Sequence, residues 1–243
     1  MNFNNETYAK QMKVRWIDSW IDSIVVKKRN EMWELVTKTN GKREYLNFNE
    51  VSDCLDVGAT SDTHYESSNL FLSKMPKNIE ISIFSDQKIS KKSLGSEIRI
   101  IESFQGSISS KIDLAKSYDL VTCSATLEHI GSLKNQELGM LNLLNLASKY
   151  LFITVPNRWH PIEFHSRLPL IHWLPEKLWR KIFSLVPSLK NLSEIDNLNF
   201  ISPKMIKSLL SKNIKTKSIE VFRIRLFGFT SNYAILVSIK GKS

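Results

Sequence analysis

Apolar residues recur along this chain with two different periods, and the switch between them lays out the fold. Between Glu6 and Trp33, the residues Tyr8, Met12, Trp16 and Trp20 fall four apart, and Ile24 extends the stripe. That spacing predicts an amphipathic helix with one side facing a core, continued by Arg29 to Thr37. Asn40-Gly41 reads as a turn, followed by a polar connector to Glu50. Short apolar runs then take over at Asp53–Val57, Ile79–Phe84, Ile98–Ile101, Asp119–Cys123 and Tyr150–Val155, and each predicts a buried strand. Helical spacing returns between them, at Thr63 to Met75 and at about Lys134 to Ala147. In the second of these, Leu138, Leu141, Leu144 and Leu146 are expected on the apolar side. Strands alternating with helices predict a mostly parallel sheet with right-handed crossovers. A helix at Pro203–Lys212 precedes two last strands, Ile219–Leu226 and Asn232–Ile239. The loop between them, Phe227 to Ser231, is too short for a parallel crossover, so the sheet should end in an antiparallel pair.

The alternation is interrupted once. Leu168 to Leu185 is aromatic and amphipathic, with Trp173, Trp179 and Phe183. Pro169, Pro175 and Pro187 exclude a single unbroken helix there. A lid or cap over a site is expected across about 157–200. The predicted organisation is an N-terminal helical extension, 1–50, and one domain, 51–243, that carries the cap. No internal repeat or low-complexity linker interrupts it.

Composition narrows the function classes. The chain has 243 residues, 42% hydrophobic and 24% charged, enough apolar content for a real core. Its cysteines, Cys54 and Cys123, both lie in strand-like runs and in no C-x-x-C pattern, which predicts reduced buried thiols and no zinc site of that kind. Met1 to Tyr8 is polar and lacks the apolar core of a signal peptide, so a cytoplasmic protein is expected. The formal charge is +10, and Ile201 to Ser243 holds nine Lys and Arg against one acid, Glu220. A basic C-terminal part favours an anionic partner or, more plainly, a solvated lysine-rich face.

The chemistry is concentrated at the ends of the predicted strands. Cys54-Leu-Asp-Val-Gly-Ala-Thr-Ser-Asp62 reads as a strand entering a tight glycine turn, the opening unit of a nucleoside- or dinucleotide-binding sheet. A full G-x-G-x-x-G would place glycines at Thr60 and Thr63, and only Gly58 is present. Such depletion argues against a pyrophosphate lying across the turn, because that contact needs close backbone approach. Two further blocks are Tyr118-Asp-Leu-Val-Thr-Cys-Ser-Ala-Thr-Leu-Glu-His-Ile-Gly131 and Phe152-Ile-Thr-Val-Pro-Asn157. With these three blocks, Val51 to Lys240 resembles a class I S-adenosylmethionine-dependent methyltransferase of the kind bacteria use on small molecules and glycans.

The resemblance implies a three-layer, Rossmann-like α/β fold with a mostly parallel sheet, an antiparallel last strand and helices on both faces. It also implies S-adenosyl-L-methionine as cofactor, bound by Asp56, Gly58, Ala59, Thr60, Asp86, Gly106, Ser107, Ser124 and Ala125. Asp56 would accept from the cofactor's amino group and Asp86 from the ribose hydroxyls. Gly106-Ser107 would face the adenine, where Gln105-Gly-Ser107 replaces the frequent family aspartate. Ser124 and Ala125 would leave room beside the sulfonium. Transfer to a hydroxyl also needs a base, and His129 and His160 are the catalytic candidates. Glu128, Asn157, Arg158, Glu163 and His165 would bind the acceptor. The spacing of His160, Glu163 and His165 matches no metal signature, so no metal is expected.

The expected function is O-methylation of a small-molecule or saccharide acceptor, as in polysaccharide biosynthesis. Methylation of a lipid-linked acceptor, with peripheral membrane contact through Lys177, Arg180 and Lys181, is an alternative. A non-catalytic relative is another, and so is a nucleic-acid module. Against the last, the chain has no Asn/Asp-Pro-Pro-aromatic tetrad and no RNA-binding motif set.

Overall fold

A computed structural model describes residues 15–38, 45–61, 65–89, 94, 98, 100–110, 112, 114 and 116–240. Tyr8, Met12, the Asn40-Gly41 turn, Asp62 and Thr63 lie outside the described residues. The sheet has seven strands in the order β3-β2-β1-β4-β5-β7-β6. They are β1 Asp53–Val57, β2 Glu80–Ser85, β3 Ile100–Gln105, β4 Tyr118–Ser124, β5 Ala147–Pro156, β6 Thr216–Leu226 and β7 Phe229–Ile239. β1 to β5 pair in parallel, whereas β7 pairs antiparallel with both β5 and β6. The chain leaves β1, starts again at the opposite side of it with β4, and so opens a crevice beyond the carboxyl ends of both strands.

Helices cover both faces. On one face, α1 (Arg15–Thr37) places Met32, Trp33 and Val36 against Cys54, Ile81, Leu120, Phe152 and Leu236. On the other, α3 (Leu133–Leu146) and α5 (Pro203–Ser211) cover Leu55, Val57, Val121, Cys123, Ile153 and Ile235. The starts of α3 and α5 are capped as their sequences suggest. Ser132 accepts from the Asn135 N–H, and Ser202 accepts from the Met205 N–H with Pro203 in the first turn. Successive strand residues alternate between the two faces. Leu55 and Val57 therefore meet α3 and α5, while Cys54 and Asp56 lie on the α1 side.

Several expectations need correction. Trp20 was expected on the core side but is 59% exposed; the buried face of α1 runs through Met32, Trp33 and Val36 instead. In α3, Leu144 and Leu146 are buried as expected, but Leu138 and Leu141 are exposed while Met140 and Leu143 are buried, so the apolar side is rotated from the predicted one. The helix expected over Thr63–Met75 is reduced among the described residues to α2, Leu70–Ser73, with turns before it. β3 starts later than predicted, at Ile100, and β6 and β7 approach each other to a two-residue turn. Phe227 and Gly228 both take positive φ there, at +52° and +82°, which matches the right-handed twist of a hairpin.

The 157–200 segment, expected as a cap, has its own small core. It comprises a 3-10 turn at Ile171–Trp173, helix α4 (Glu176–Leu185) and a 3-10 turn at Lys190–Ser193. Trp179, Phe183, Leu189, Leu192 and Leu198 pack together beneath it. Among the described residues no helix is long and apolar enough to cross a membrane.

Candidate functional site

The crevice starts at Asp56, the penultimate residue of β1. Thr122 lies in register with it on β4, and its hydroxyl donates to Asp56 Oδ1 at 2.5 Å. Burial raises the Asp56 carboxyl to about 6, opposed by that hydrogen bond and by the Arg29 guanidinium. Gly58 follows with φ +94°, a conformation costly for any residue with a side chain. A Cβ there would lie 2.0 Å from the Thr126 hydroxyl oxygen. The absence of a side chain at Gly58 is thus what lets the loop after β4 close over the end of β1.

The turn after Gly58 is held by amide clamps. Asn69 Oδ1 accepts from the Thr60 N–H at 2.9 Å, and its Nδ2 donates to the Thr60 carbonyl at 2.8 Å. Gln87 Oε1 accepts from the Ser61 N–H at 3.0 Å and from the Ser61 hydroxyl at 2.9 Å. The Ser85 hydroxyl donates to the Ala59 carbonyl at 2.7 Å. These contacts replace the stiffness that a glycine-rich loop gains from its close contact with a phosphate. Asn69→Gly keeps the left-handed backbone of that position (φ 55°) and removes both clamp bonds. It should lower stability by about 1–3 kcal/mol and weaken cofactor-analogue binding, read together in thermal shift with and without S-adenosylhomocysteine.

Asp86 lies just past β2, exposed, with the Ser85 hydroxyl 3.4 Å from its Oδ1. Gln105, at the end of β3, donates to the Asp86 carbonyl at 3.1 Å. Beside it Gly106 and Ser107, with Phe84 and Phe104, line a cavity of about 420 Å³. A Cβ on Gly106 would sit 3.0 Å from the Phe84 ring, so a small residue keeps this wall open.

Past β4, Ser124 shares a hydrogen bond with Thr154 of β5 at 2.8 Å. Ala125 takes φ +50°, and its N–H donates to the Thr154 carbonyl at 3.0 Å. This turn delivers the 3-10 segment Leu127–His129 into the crevice. Glu128 is completely buried, and among the described residues neither of its carboxylate oxygens has a hydrogen-bond partner. Burial therefore raises its carboxyl to about 7 despite the pull of His165 and Arg29.

His129 stands against His165 with Nε2 atoms 3.2 Å apart. The other ring nitrogen of each is anchored. His129 Nδ1 lies 2.6 Å from the Asn197 carbonyl, and His165 Nδ1 lies 2.6 Å from Glu163 Oε1. A carbonyl only accepts, so His129 Nδ1 carries the hydrogen. Burial and the neighbouring His165 push His129 down to about 4. Glu163 sits in a nest of the His165 and Ser166 N–H groups, which together with the His165 ring hold it down at about 2 against the cost of burial. The His165 imidazole is raised because the pull of Glu163 outweighs its own burial.

Other expected site residues are engaged elsewhere. Asn157 donates to the Thr230 carbonyl at 2.7 Å and accepts from the Trp159 N–H at 3.2 Å, tying the end of β5 to the last hairpin. Arg158 donates to the His172 and Leu174 carbonyls, pinning the cap. His160, expected as a catalytic base, is 2% exposed, packs on Phe164 and has its Nδ1 within bonding distance of the Ile162 backbone. Asn157 thus serves the hairpin and Arg158 the 157–200 segment, while the second ring nitrogen of His160, Nε2, is buried without a hydrogen-bond partner among the described residues. His129, with its Nδ1 hydrogen engaged and its Nε2 facing His165, has no free nitrogen for an acceptor proton.

Arg29 of α1 was absent from the expected set. Its guanidinium donates to the Ser67 carbonyl and lies in the field of Glu128, Asp22 and Asp56. It brings positive charge between the ends of β1 and β4. The periodicity marks Arg29 only as a helix residue, because the Glu128 that attracts it is distant in sequence. Gln136 and Asn199 were missed likewise. Gln136 donates to the Leu127 and Asn199 carbonyls and Asn199 donates to the Gly131 carbonyl, so the cap is fastened to the segment carrying Glu128.

No protein-family model matches the sequence, and no curated protein matches it. Solved structures do match in fold. Magnesium protoporphyrin IX methyltransferase from Synechocystis, with bound S-adenosylhomocysteine, is 15% identical with a TM-score of 0.56, over 97% of this chain and 95% of that one. An O-methyltransferase family protein from Burkholderia thailandensis is 13% identical with a TM-score of 0.51, over 92% of this chain and 59% of that one. The N-methyltransferase NodS from Bradyrhizobium japonicum, in complex with S-adenosylhomocysteine, is 8% identical with a TM-score of 0.50, over 88% and 86%. The chain has the fold of the S-adenosylmethionine-dependent methyltransferases: a seven-stranded, mostly parallel sheet whose last strand runs antiparallel.

Proposed function

We propose that this protein is an S-adenosylmethionine-dependent methyltransferase acting on a hydroxyl of a small-molecule or saccharide acceptor. The observation that carries the reading is the buried, unpartnered carboxylate of Glu128 beside His129 and His165, delivered by β4 to the crevice of a methyltransferase-type sheet. The residues at the strand ends suit the cofactor. Asp56 is a buried carboxylate in want of a cation, which the methionine ammonium supplies. Arg29 offers a counter-ion for the methionine carboxylate. The cavity beside Gly106 and Ser107 accommodates the adenine, and exposed Asp86 is free to accept from the ribose diol. No phosphate is present in this cofactor, so one glycine in the first turn suffices.

The bound cofactor supplies an electrophilic methyl on a sulfonium. The chain's part is to align the acceptor oxygen with it, exclude water under the cap and hold the oxygen where its proton can leave. When bound, S-adenosylmethionine would supply its methyl group to the acceptor oxygen and leave as S-adenosylhomocysteine, with the acceptor's proton passing to water. Glu128 and His165 are the groups that hold the oxygen; Glu163, His129 and the cap contacts position them.

A second reading, the lipid-linked acceptor, is favoured by one feature. Around the cap, Leu178, Leu185, Val186 and Trp173 are exposed together with Lys177 and Lys181. An apolar edge with lysines beside it suits an acceptor presented at an anionic membrane.

Calorimetric titration with S-adenosylhomocysteine tests the first step, and no heat and no thermal shift would sink the methyltransferase reading. Labelled S-adenosylmethionine with hydroxylated saccharide acceptors, free or lipid-linked in anionic vesicles, tests the second. Glu128→Gln should lower turnover by about 100-fold while leaving S-adenosylhomocysteine binding in place.

A further inference from the structure

We propose that Glu128, His129 and His165 form a site for one divalent first-row cation of the zinc or manganese type. Their ligand atoms lie within 4.8 Å of one another. Independent features of the cluster point to a cation rather than to packing.

The first is the arrangement of the histidine pair. Both Nδ1 atoms are turned to acceptors, the Asn197 carbonyl and the Glu163 carboxylate, so both Nε2 atoms are presented to the same point. Metal-binding histidines are oriented in this way, their second nitrogen donating to a carbonyl or carboxylate that fixes the tautomer. The Nε2 separation of 3.2 Å also fits. With metal–nitrogen bonds of about 2.1 Å, that separation subtends an angle of roughly 100° at the metal, between tetrahedral and octahedral values. In the ion-free protein the two Nε2 atoms share a proton.

A shared proton leaves the second feature unexplained. Glu128 is 0% exposed, and among the described residues neither of its oxygens has a hydrogen-bond partner. A buried carboxylate in that state is expensive. A cation between the imidazoles satisfies it as the third ligand and balances the negative charge that Glu128 shares with Glu163 and Asp56. Two imidazoles and one carboxylate suit zinc, manganese or ferrous iron, and leave coordination positions open. A hydroxyl acceptor bound there would be acidified by the cation and lose its proton to water before attacking the methyl group. That role rests on the methyl-transfer reading above; the site itself does not. The spacing rules missed it because His129 and His165 are 36 residues apart and come from different loops.

The test uses the full chain, stripped with a chelator and titrated calorimetrically with ZnCl2, MnCl2 or CoCl2. One equivalent should bind, with visible ligand-field bands for cobalt that report nitrogen ligands. Glu128→Gln and His165→Gln should weaken binding by at least about 100-fold, and Glu163→Gln, which only anchors His165, by about 10- to 100-fold. Histidine ring NMR of the wild type keeps the test independent of variant folding. ZnCl2 should shift the His129 and His165 Nε2 resonances and leave those of His160 and His172 unmoved. The proposal is overturned if none of these ions binds stoichiometrically, if His129 and His165 do not respond, or if folded Glu128→Gln and His165→Gln bind as the wild type does. S-adenosylhomocysteine binding, measured on the stripped protein, separates the two readings. Its absence with the metal bound removes the methyltransferase and keeps the site; the reverse removes the site alone.

Discussion

Gly58→Ala should destabilise the protein by about 2–5 kcal/mol and abolish S-adenosylhomocysteine binding. Two costs combine. The residue takes φ +94°, where a side chain costs about 1–2 kcal/mol. The added methyl also meets Thr126, whose Oγ1, Cγ2 and Cβ would lie at 2.0, 2.6 and 2.8 Å. Overpacking of this kind typically adds about 1–3 kcal/mol. Thr126 cannot simply yield, because its hydroxyl bonds to the Ser124 carbonyl at 3.1 Å and the segment beyond it carries Glu128 and His129. The displacement would therefore pass from the cofactor side of the crevice to the acceptor side. Urea denaturation of Gly58→Ala, Thr126→Gly and the double variant measures this. The double variant should recover the steric part and keep the strain of φ, a coupling of about 1–3 kcal/mol. Additive losses would show that the two loops do not press on each other.

That contact also shows what the sequence could and could not disclose. Strand positions were legible because burial on both faces makes β1, β2, β4 and β5 short apolar runs with polar ends. The antiparallel finish was legible from the short link between β6 and β7. The side chains meeting in the crevice were not. Asp56 and Thr122 are bonded because β1 and β4 are neighbours, although 66 residues separate them. Arg29 reaches the same place from α1. In α3 the leucines read as one apolar side, yet Leu138 and Leu141 face solvent and Met140 and Leu143 face the sheet. A leucine-rich helix carries more apolar residues than its contact needs, so sequence leaves its rotation ambiguous. The polar loop after β5 reads in the sequence as an acceptor-binding wall, but the backbone contacts within it were not legible. Asn157 and Arg158 look like substrate ligands in a string of letters. In the structure Asn157 donates to a carbonyl of the last hairpin and Arg158 donates to two carbonyls of the 157–200 segment.

Asp56 gives the second large effect, and its sign can be worked out. Its carboxyl is at about 6 in the fold against 3.8 when unperturbed, mainly through burial. A raised acid means the folded protein binds more protons than the unfolded chain between those values. The contribution is therefore intact below pH 4 and is lost as pH rises to about 6. The difference is worth about 3 kcal/mol at neutral pH. Asp56→Asn keeps an acceptor for the Thr122 hydroxyl and removes the charge. Without cofactor it should match the wild type near pH 4 and exceed it in stability by about 3 kcal/mol at pH 7.5. Glu163 and His165 titrate in both proteins and cancel in the comparison. Ligand binding should reverse the ranking. The ammonium of S-adenosylhomocysteine needs the ionised carboxylate, so wild-type affinity should fall about tenfold per pH unit below 6, with one proton released on binding. Asp56→Asn should bind weakly at every pH. Urea titrations and calorimetry across pH 4.5–8 read both halves. A wild type that binds equally well at pH 5 and pH 8 would show that the cofactor's amino group does not use Asp56. The stability that the free protein forgoes at neutral pH to keep this carboxylate buried would then have another cause.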